Sequence, residues 1–244
     1  MPVNREHTVD IAAVDTALYD QPAYRVAEAA RILALPAATV TAWCFGHDYR
    51  HRDGSPKRFR RVIDAADARR RELSFVNLCE LHLLAVIRRH HGVRLVQVRK
   101  AIDFLRRELD VRRPLATQKF LTNGVALFVE HAGELLNVSE QGQRALREDF
   151  ERALMRIEFG KHGGPVVLFP FTREVSASED QPRSVIVDPA RSFGRPVVAG
   201  AYVRTEVIEQ RFRAGETIAE MAEDYGVSAA TVEEALRFEH RRAA

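Results

Sequence analysis

Residues 24–43 read YRVAEAARILALPAATVTAW, and this stretch organises the rest of the chain. Val26, Ala29, Ala30 and Leu33 recur at helical spacing, Ala34-Leu35-Pro36 interrupts the pattern, and Val40 and Trp43 put a second apolar stripe on the next helix. Pro36 suits the first position of that helix, because a proline there loses no intrahelical hydrogen bond and already has the required φ. The pattern predicts a helix-turn-helix. Two short helices with so few apolar residues cannot form a core alone, so further helices must close around Leu33, Val40 and Trp43.

The next residues, 44–63, read CFGHDYRHRDGSPKRFRRVI. Gly46, Gly54 and Pro56 punctuate this stretch, Tyr49 and Phe59 can anchor it, and Arg50, Arg52, Lys57, Arg58, Arg60 and Arg61 crowd it with positive charge. That composition predicts a wing, a β-ribbon beside the helix pair whose cations meet phosphates. Thr39 and Thr41 on the second helix can hydrogen-bond phosphates or bases. The candidate DNA-binding set is therefore Thr39, Thr41, Tyr49, Arg50, Arg52, Lys57, Arg58, Arg60 and Arg61. A helix within Leu73 to His91 carries Phe75, Leu78, Leu81 or His82, Ala85 and Val86. Another, Leu95 to Leu109, sets Val98, Ile102, Leu105 and Leu109 on one face and Arg99, Lys100, Arg106 and Arg107 on the other. Those four cations are the alternative DNA-binding face. The apolar face of this helix is long enough to pair with its copy, so a homodimer is expected.

The order of helix, turn, helix, basic wing and SFVNLCELHLLAVIRRHHGVRLVQVRKAIDFL resembles the winged helix-turn-helix of the MerR group over roughly residues 22–110. That group usually has an arginine where this chain has Thr41 or Ala42, and a glycine where it has Ala34. The departure moves the electrostatic affinity onto the wing.

Composition excludes several classes. The chain has 244 residues, enough for two or three modules. No apolar run approaches the roughly 18 residues of a membrane span, and MPVNREHTVD is too polar for a secretion signal, so a cytoplasmic location is expected. Cys44 and Cys79 form neither a CxxC pair nor a disulfide framework. Residues 1–113 hold 21 Lys/Arg against 14 Asp/Glu, whereas 114–244 hold 16 against 20, so the two halves suit different partners.

In the middle, KFLTNGVALFVEHAGELLNVS predicts strands: Thr122-Asn123-Gly124 separates Phe120-Leu121 from Val125–Val129, and Ala132-Gly133 precedes Leu135–Val138. A helix from Gln143 to Ile157, a strand in VVLFPF and a polar linker SASEDQPR follow. The C-terminal stretch, SVIVDPARSFGRPVVAGAYVRTEVIEQRFRAGETIAEMAEDYGVSAATVEEALRFE, has its own logic. Thr205 can cap one helix, Gly215 ends it, Thr217 with Glu220 forms a capping box, and Gly226-Val227-Ser228 turns the chain into a last helix. Glu220, Glu223, Asp224, Glu233, Glu234 and Glu239 are expected on the surface, where they oppose DNA binding and suit a protein partner.

That segment, roughly 57 residues, is similar to a domain-of-unknown-function family found in bacterial antitoxins, with a G-R-P-V stretch, a helix ending R-F-x-A-G-E, and a second helix-turn-helix. Members commonly show G-T-R where this chain has Gly200-Ala201-Tyr202. The resemblance implies an antitoxin of the VapB type in the broad sense, a neighbouring toxin with a PIN-like ribonuclease fold that it neutralises, and repression of their shared promoter through operator DNA. It also makes Phe193, Arg195, Phe212, Tyr225 and Phe238 the candidate partner-binding residues.

No catalytic residue is assigned. His47-Asp48-Tyr49-Arg50-His51 with His82, His90 and His91 lacks HExxH or CxxC spacing, so no metal is expected, and Gly163-Gly164 is too bare for a phosphate loop, so no cofactor is either. The expected fold is mainly α with small β elements. It comprises a winged helix-turn-helix domain (1–113), a small antiparallel β-containing middle (114–182) and a C-terminal helix-turn-helix-like domain (183–244). The other reading is a MerR-like regulator whose residues 114–180 bind a small effector; a reading frame beside the gene that encodes a small protein with spaced Asp residues would favour the antitoxin.

Overall fold

The computed structural model describes residues 18–50, 53–89, 95–136, 139–173 and 181–241, and is mainly helical with short antiparallel strand pairs. Strand β1 (Tyr24–Arg25) leads into helix α1 (Val26–Leu33), which buries Ala29, Ala30 and Ile32. α1 ends at Ala34, whose φ of 50° is left-handed, and the Leu35 amide donates back to the Ala30 carbonyl at 2.9 Å. Pro36 lies one place earlier than expected, as the cap residue preceding helix α2 (Ala37–Phe45). α2 turns Val40, Trp43 and Cys44 inward. The wing follows as β2 (His47–Arg50) and β3 (Pro56–Phe59).

β4 (Glu72–Leu73) pairs with β1, setting Tyr24 opposite Leu73 and tying the start of α1 to the start of helix α3 (Phe75–Arg89). α3 is central: Leu78, Cys79, Leu81, Leu83, Leu84 and Val86 are all buried, which places neighbours on several sides. Helix α4 (Leu95–Glu108) turns Val98, Ala101, Ile102 and Leu105 into the same core. This overturns the seat expected for dimerisation, because the apolar face of α4 already closes this chain's own interior.

The middle region is helical where strands are expected. Phe120–Gly124 form a π-turn that runs into helix α5 (Val125–Leu136). Phe120, Gly124 and Phe128 are spaced by four, as are Val125 and Val129, so helical periodicity prevails over the β-branched composition. Gly124 is a packing residue rather than a hairpin signal; a Cβ there would stand 2.6 Å from the Phe120 ring. Helix α6 (Glu140–Leu154) starts at Ser139, whose hydroxyl accepts from the Gly142 amide, and Ile157 opens β5 (Ile157–Phe159) instead of ending the helix. β5 pairs with β6 (Pro165–Leu168). Phe120, Phe128 and Phe150 meet edge to face and are buried.

One hydrophobic cluster runs from Tyr24 through Leu105 and Phe150 to Val187, so residue 113 marks no break in the packing. A second, smaller cluster belongs to the C-terminal unit: Val198, Ile208, Met221, Ala222, Val232, Ala235 and Leu236. Its frame is β7 (Val185–Ile186), β8 (Val197–Val198) and helices α7 (Thr205–Arg213), α8 (Ile218–Tyr225) and α9 (Ala229–His240). The Thr217–Glu220 capping box is present, Gly226 is left-handed at φ 62°, and Ser228 caps α9. Thr205 is not the cap of α7. It lies inside the first turn, buried, with its hydroxyl bonded to the Glu239 carboxylate.

Candidate nucleic-acid interface

The wing is fixed to the second helix of the pair by backbone. α2 passes through Gly46, at φ 73°, straight into β2, and a Cβ there would stand 2.4 Å from the Phe59 carbonyl oxygen. On the return, the Val62 and Ile63 amides both donate to the Trp43 carbonyl, at 2.7 and 3.0 Å. The register pairs His47 with Phe59, Asp48 with Arg58, Tyr49 with Lys57 and Arg50 with Pro56. Alternation therefore gives two chemically different faces, one with His47, Tyr49, Lys57 and Phe59, the other with Asp48, Arg50, Pro56 and Arg58. His47 stacks on Phe59 at 5.1 Å, and the Arg99 guanidinium of α4 covers the same ring at 5.3 Å.

The cations differ in how free they are. Arg50, Lys57 and Arg60 are exposed and have no carboxylate partner among the described residues. Arg58 lies 3.8 Å from Asp48 with both side chains largely in solvent, a pairing worth little. Arg61 is committed to Asp64 at 2.7 Å. Burial pushes the Asp64 carboxyl up, but the Arg61 hydrogen bond and the charges of Arg61, Arg106 and Arg113 outweigh it and hold the group below its usual range. Arg52 lies outside the described residues. Tyr49 is exposed beside Lys57, while Thr39 and Thr41 are half-buried on α2.

Of the alternative cationic face, Arg99 donates to the Arg60 and Arg61 carbonyls and Arg106 pairs with Asp103 and Asp64, so both serve the fold. Sequence reading passed over Arg69, Arg70 and Arg71. They are exposed on a turn where Asp67 accepts from the Arg69 and Arg70 amides at 2.8 and 2.9 Å, and Arg71 stands over the Phe45 ring at the end of α2. The three consecutive arginines were the available signal, but they belong to no periodic element.

The candidate partner residues are dispersed. Phe193 is 93% exposed on a turn where Ser192, Phe193 and Gly194 all have positive φ. The turn is anchored from α1's side of the molecule: the buried Tyr24 hydroxyl donates to the Gly194 carbonyl at 3.0 Å, and a Cβ on Gly194 would stand 2.0 Å from that hydroxyl. Arg195 pairs with Glu28 of α1. Phe212 is exposed, and Tyr225 is half-buried under the Arg211 guanidinium. Phe238 is buried with Arg241 over its ring, so it is core and offers no surface to a partner. Two of the acidic residues expected in solvent are also internal. Glu234 is buried and accepts from Thr172 and Arg173, and Glu239 pairs with Arg31 of α1 at 2.7 Å.

Residues 22–102 match a family described as "Putative DNA-binding HTH domain", and residues 185–238 match one described as "Protein of unknown function (DUF433)". Over 233 residues the chain is 29% identical to "Putative antitoxin VapB45" of Mycobacterium tuberculosis (strain ATCC 25618 / H37Rv), covering 89% of this chain and 94% of the relative. The chain is thus similar along most of its length to a protein described as an antitoxin, and its first third matches a helix-turn-helix family. It is also 23% identical over 229 residues to "Uncharacterized protein Rv2308" of the same strain, covering 91% and 92% of the two chains. The crystal structure of Rv2018 from Mycobacterium tuberculosis superposes with a TM-score of 0.64 at 25% identity, covering 89% of this chain and 99% of that one.

Proposed function

We propose that this chain is the antitoxin of a type II toxin-antitoxin pair. It binds operator DNA as a homodimer in the cytoplasm, represses its own promoter, and neutralises a PIN-like ribonuclease toxin. It acts by binding and carries out no catalysis. Its N-terminal unit works as MerR-group winged domains do, with α2 in the major groove and the ribbon on phosphates. The observation that carries the DNA half is the attachment of a cationic ribbon to the end of α2 by backbone hydrogen bonds, with Arg50, Lys57 and Arg60 exposed and without a carboxylate partner among the described residues. Similarity along nearly the whole chain to a protein described as an antitoxin supports the toxin half. Phe193, Arg195, Phe212 and Tyr225 are the residues proposed to contact the toxin.

The test is a salt titration of DNA binding by the full chain. Each phosphate neutralised contributes a slope of about −0.9 to the plot of log affinity against log salt. Replacing Lys57, Arg58 and Arg60 with alanine should flatten the slope and weaken all sequences alike. An unchanged slope would take the wing off the DNA. Co-purification of the full chain with the product of the adjacent reading frame tests the toxin half, and its absence would remove that half alone.

A further inference from the structure

The outward face of α2 carries almost no hydrogen-bonding chemistry. Turning by 100° per residue, α2 puts Val40, Trp43 and Cys44 inward and Ala38 and Ala42 opposite them, with Ala37 and Thr41 on the flank beside Ala38; Ala37 and Ala38 are exposed, and Thr41, Ala42 and Phe45 are half-buried. The sequence AATVTAWCF contains no charged, amide or imidazole side chain. Thr39 is half-buried at the flank and already engaged within the chain. The bidentate pairings that read guanine or adenine, from arginine, lysine, asparagine or glutamine, are therefore closed to this helix. What Ala37, Ala38 and Thr41 present to a major groove is methyl groups, and the base feature that methyl groups recognise is the C5-methyl of thymine.

We propose that α2 reads thymine methyl groups through Ala37, Ala38 and Thr41, while the wing supplies affinity through phosphates. This rests on the DNA-binding reading above. Thymine is chosen over shape readout because the face is apolar and runs directly into the cationic ribbon proposed to hold it against the duplex.

The test starts from a duplex recovered by selection of a random 30-bp pool with the full chain. Each thymine is then replaced by deoxyuridine, which removes one methyl and leaves every base-pairing group in place. A few positions should each weaken binding about fourfold, the worth of one buried methyl, at unchanged salt slope. Thr41→Ser should lose the same fourfold on the thymine duplex and become indifferent to deoxyuridine at one position. Thr41→Val, which keeps a methyl and loses the hydroxyl, should bind as the parent does. Deoxyuridine without effect at every position overturns the proposal and leaves phosphate binding intact, as does Thr41→Val failing as badly as Thr41→Ser. If the parent chain selects no sequence, sequence reading by α2 is refuted. If it binds no duplex at all, the DNA-binding reading falls and the proposal with it.

Discussion

The two helix-turn-helix units of this chain finish their helices by different means. In the C-terminal unit Thr217 and Glu220 close the start of α8, Gly226 takes the left-handed place after it, and Ser228 caps α9. In the N-terminal unit α1 ends on a left-handed alanine, and α2 begins behind Pro36 with no side-chain cap and no carboxylate in its first turn. The last turn of α1 is completed from far along the chain, where Arg241 donates to the Arg31 and Ile32 carbonyls at 3.2 and 3.0 Å. An uncapped helix start carries partial positive charge that favours an anion. A capped, acid-bearing pair has no such need. The contrast supports the proposed division of labour, with nucleic acid at the open start of α2 and a structural or protein-docking role for the α8–α9 pair.

The largest effect expected inside the C-terminal unit comes from Glu234. Its carboxylate is 3% exposed and accepts from Arg173 at 2.9 Å and from Thr172, joining α9 to the chain that follows β6. Glu234→Ala should cost about 2 kcal/mol, the range for hydrogen bonds to a charged group, and lower the urea midpoint. Acid should do the same gradually. Burial raises the Glu234 carboxyl, but the Arg173 and Thr172 hydrogen bonds and the Arg173 and Arg237 charges outweigh it and hold it below its usual value. A depressed folded pKa means stability that is complete above the unfolded value of about 4.3 and is lost as the pH falls through the folded one. The Glu234→Ala chain should therefore show a shallower acid dependence than the parent in urea titrations at pH 3–6. Equal dependence would place the acid sensitivity elsewhere.

Local caps come next. Thr217→Ala and Ser228→Ala should each cost about 1 kcal/mol in thermal or urea unfolding. Gly226→Ala should cost about as much through backbone conformation alone, since nothing stands within 4 Å of a Cβ there. None of the three should alter the salt slope of DNA binding. If one did, the C-terminal pair would itself contact phosphate, and the division of labour between the units would be lost.

The parts of the fold legible in the sequence were those whose signals are local. The α1–α2 break at Ala34-Leu35-Pro36, the hairpin between Gly46 and Phe59, the capping box at Thr217 and the turn at Gly226 all depend on residues within a few positions of one another. α5 was misread because Thr122-Asn123-Gly124 has hairpin composition, while the function of Gly124, making room for Phe120, depends on how the helix packs. The junction between the C-terminal unit and α1 was invisible for a different reason. Tyr24 with Gly194 and Arg31 with Glu239 are 170 and 208 residues apart, and no periodicity links them. At the candidate site the cations of the wing were readable, but their availability was not. Asp64, three residues beyond Arg61, takes that arginine out of the set, and Arg99 becomes a buttress for the ribbon.

The smallest predicted effect tests the open end of the N-terminal unit directly. Ala34 has φ 50° and ψ 42°, a conformation that costs an ordinary L-residue roughly 1–2 kcal/mol and a glycine almost nothing. Ala34→Gly relieves that strain, but it also gives the unfolded chain more freedom, worth about 0.4–1 kcal/mol in the opposite direction. The net expectation is a gain of about 0.5 kcal/mol, readable as a small rise in urea midpoint at unchanged m. The surrounding hydrogen bonds, from the Ala34 and Leu35 amides to the Arg31 and Ala30 carbonyls, are backbone and survive the change. The mirror change, Gly226→Ala, goes the other way, because there the left-handed strain an alanine takes on is only partly offset by the reduced freedom of the unfolded chain. A loss of stability in Ala34→Gly would show that the half-buried Ala34 methyl contributes more through packing than its backbone strain takes away. The left-handed alanine would then be a packing residue in its own right, and the N-terminal turn would be as complete as the C-terminal one.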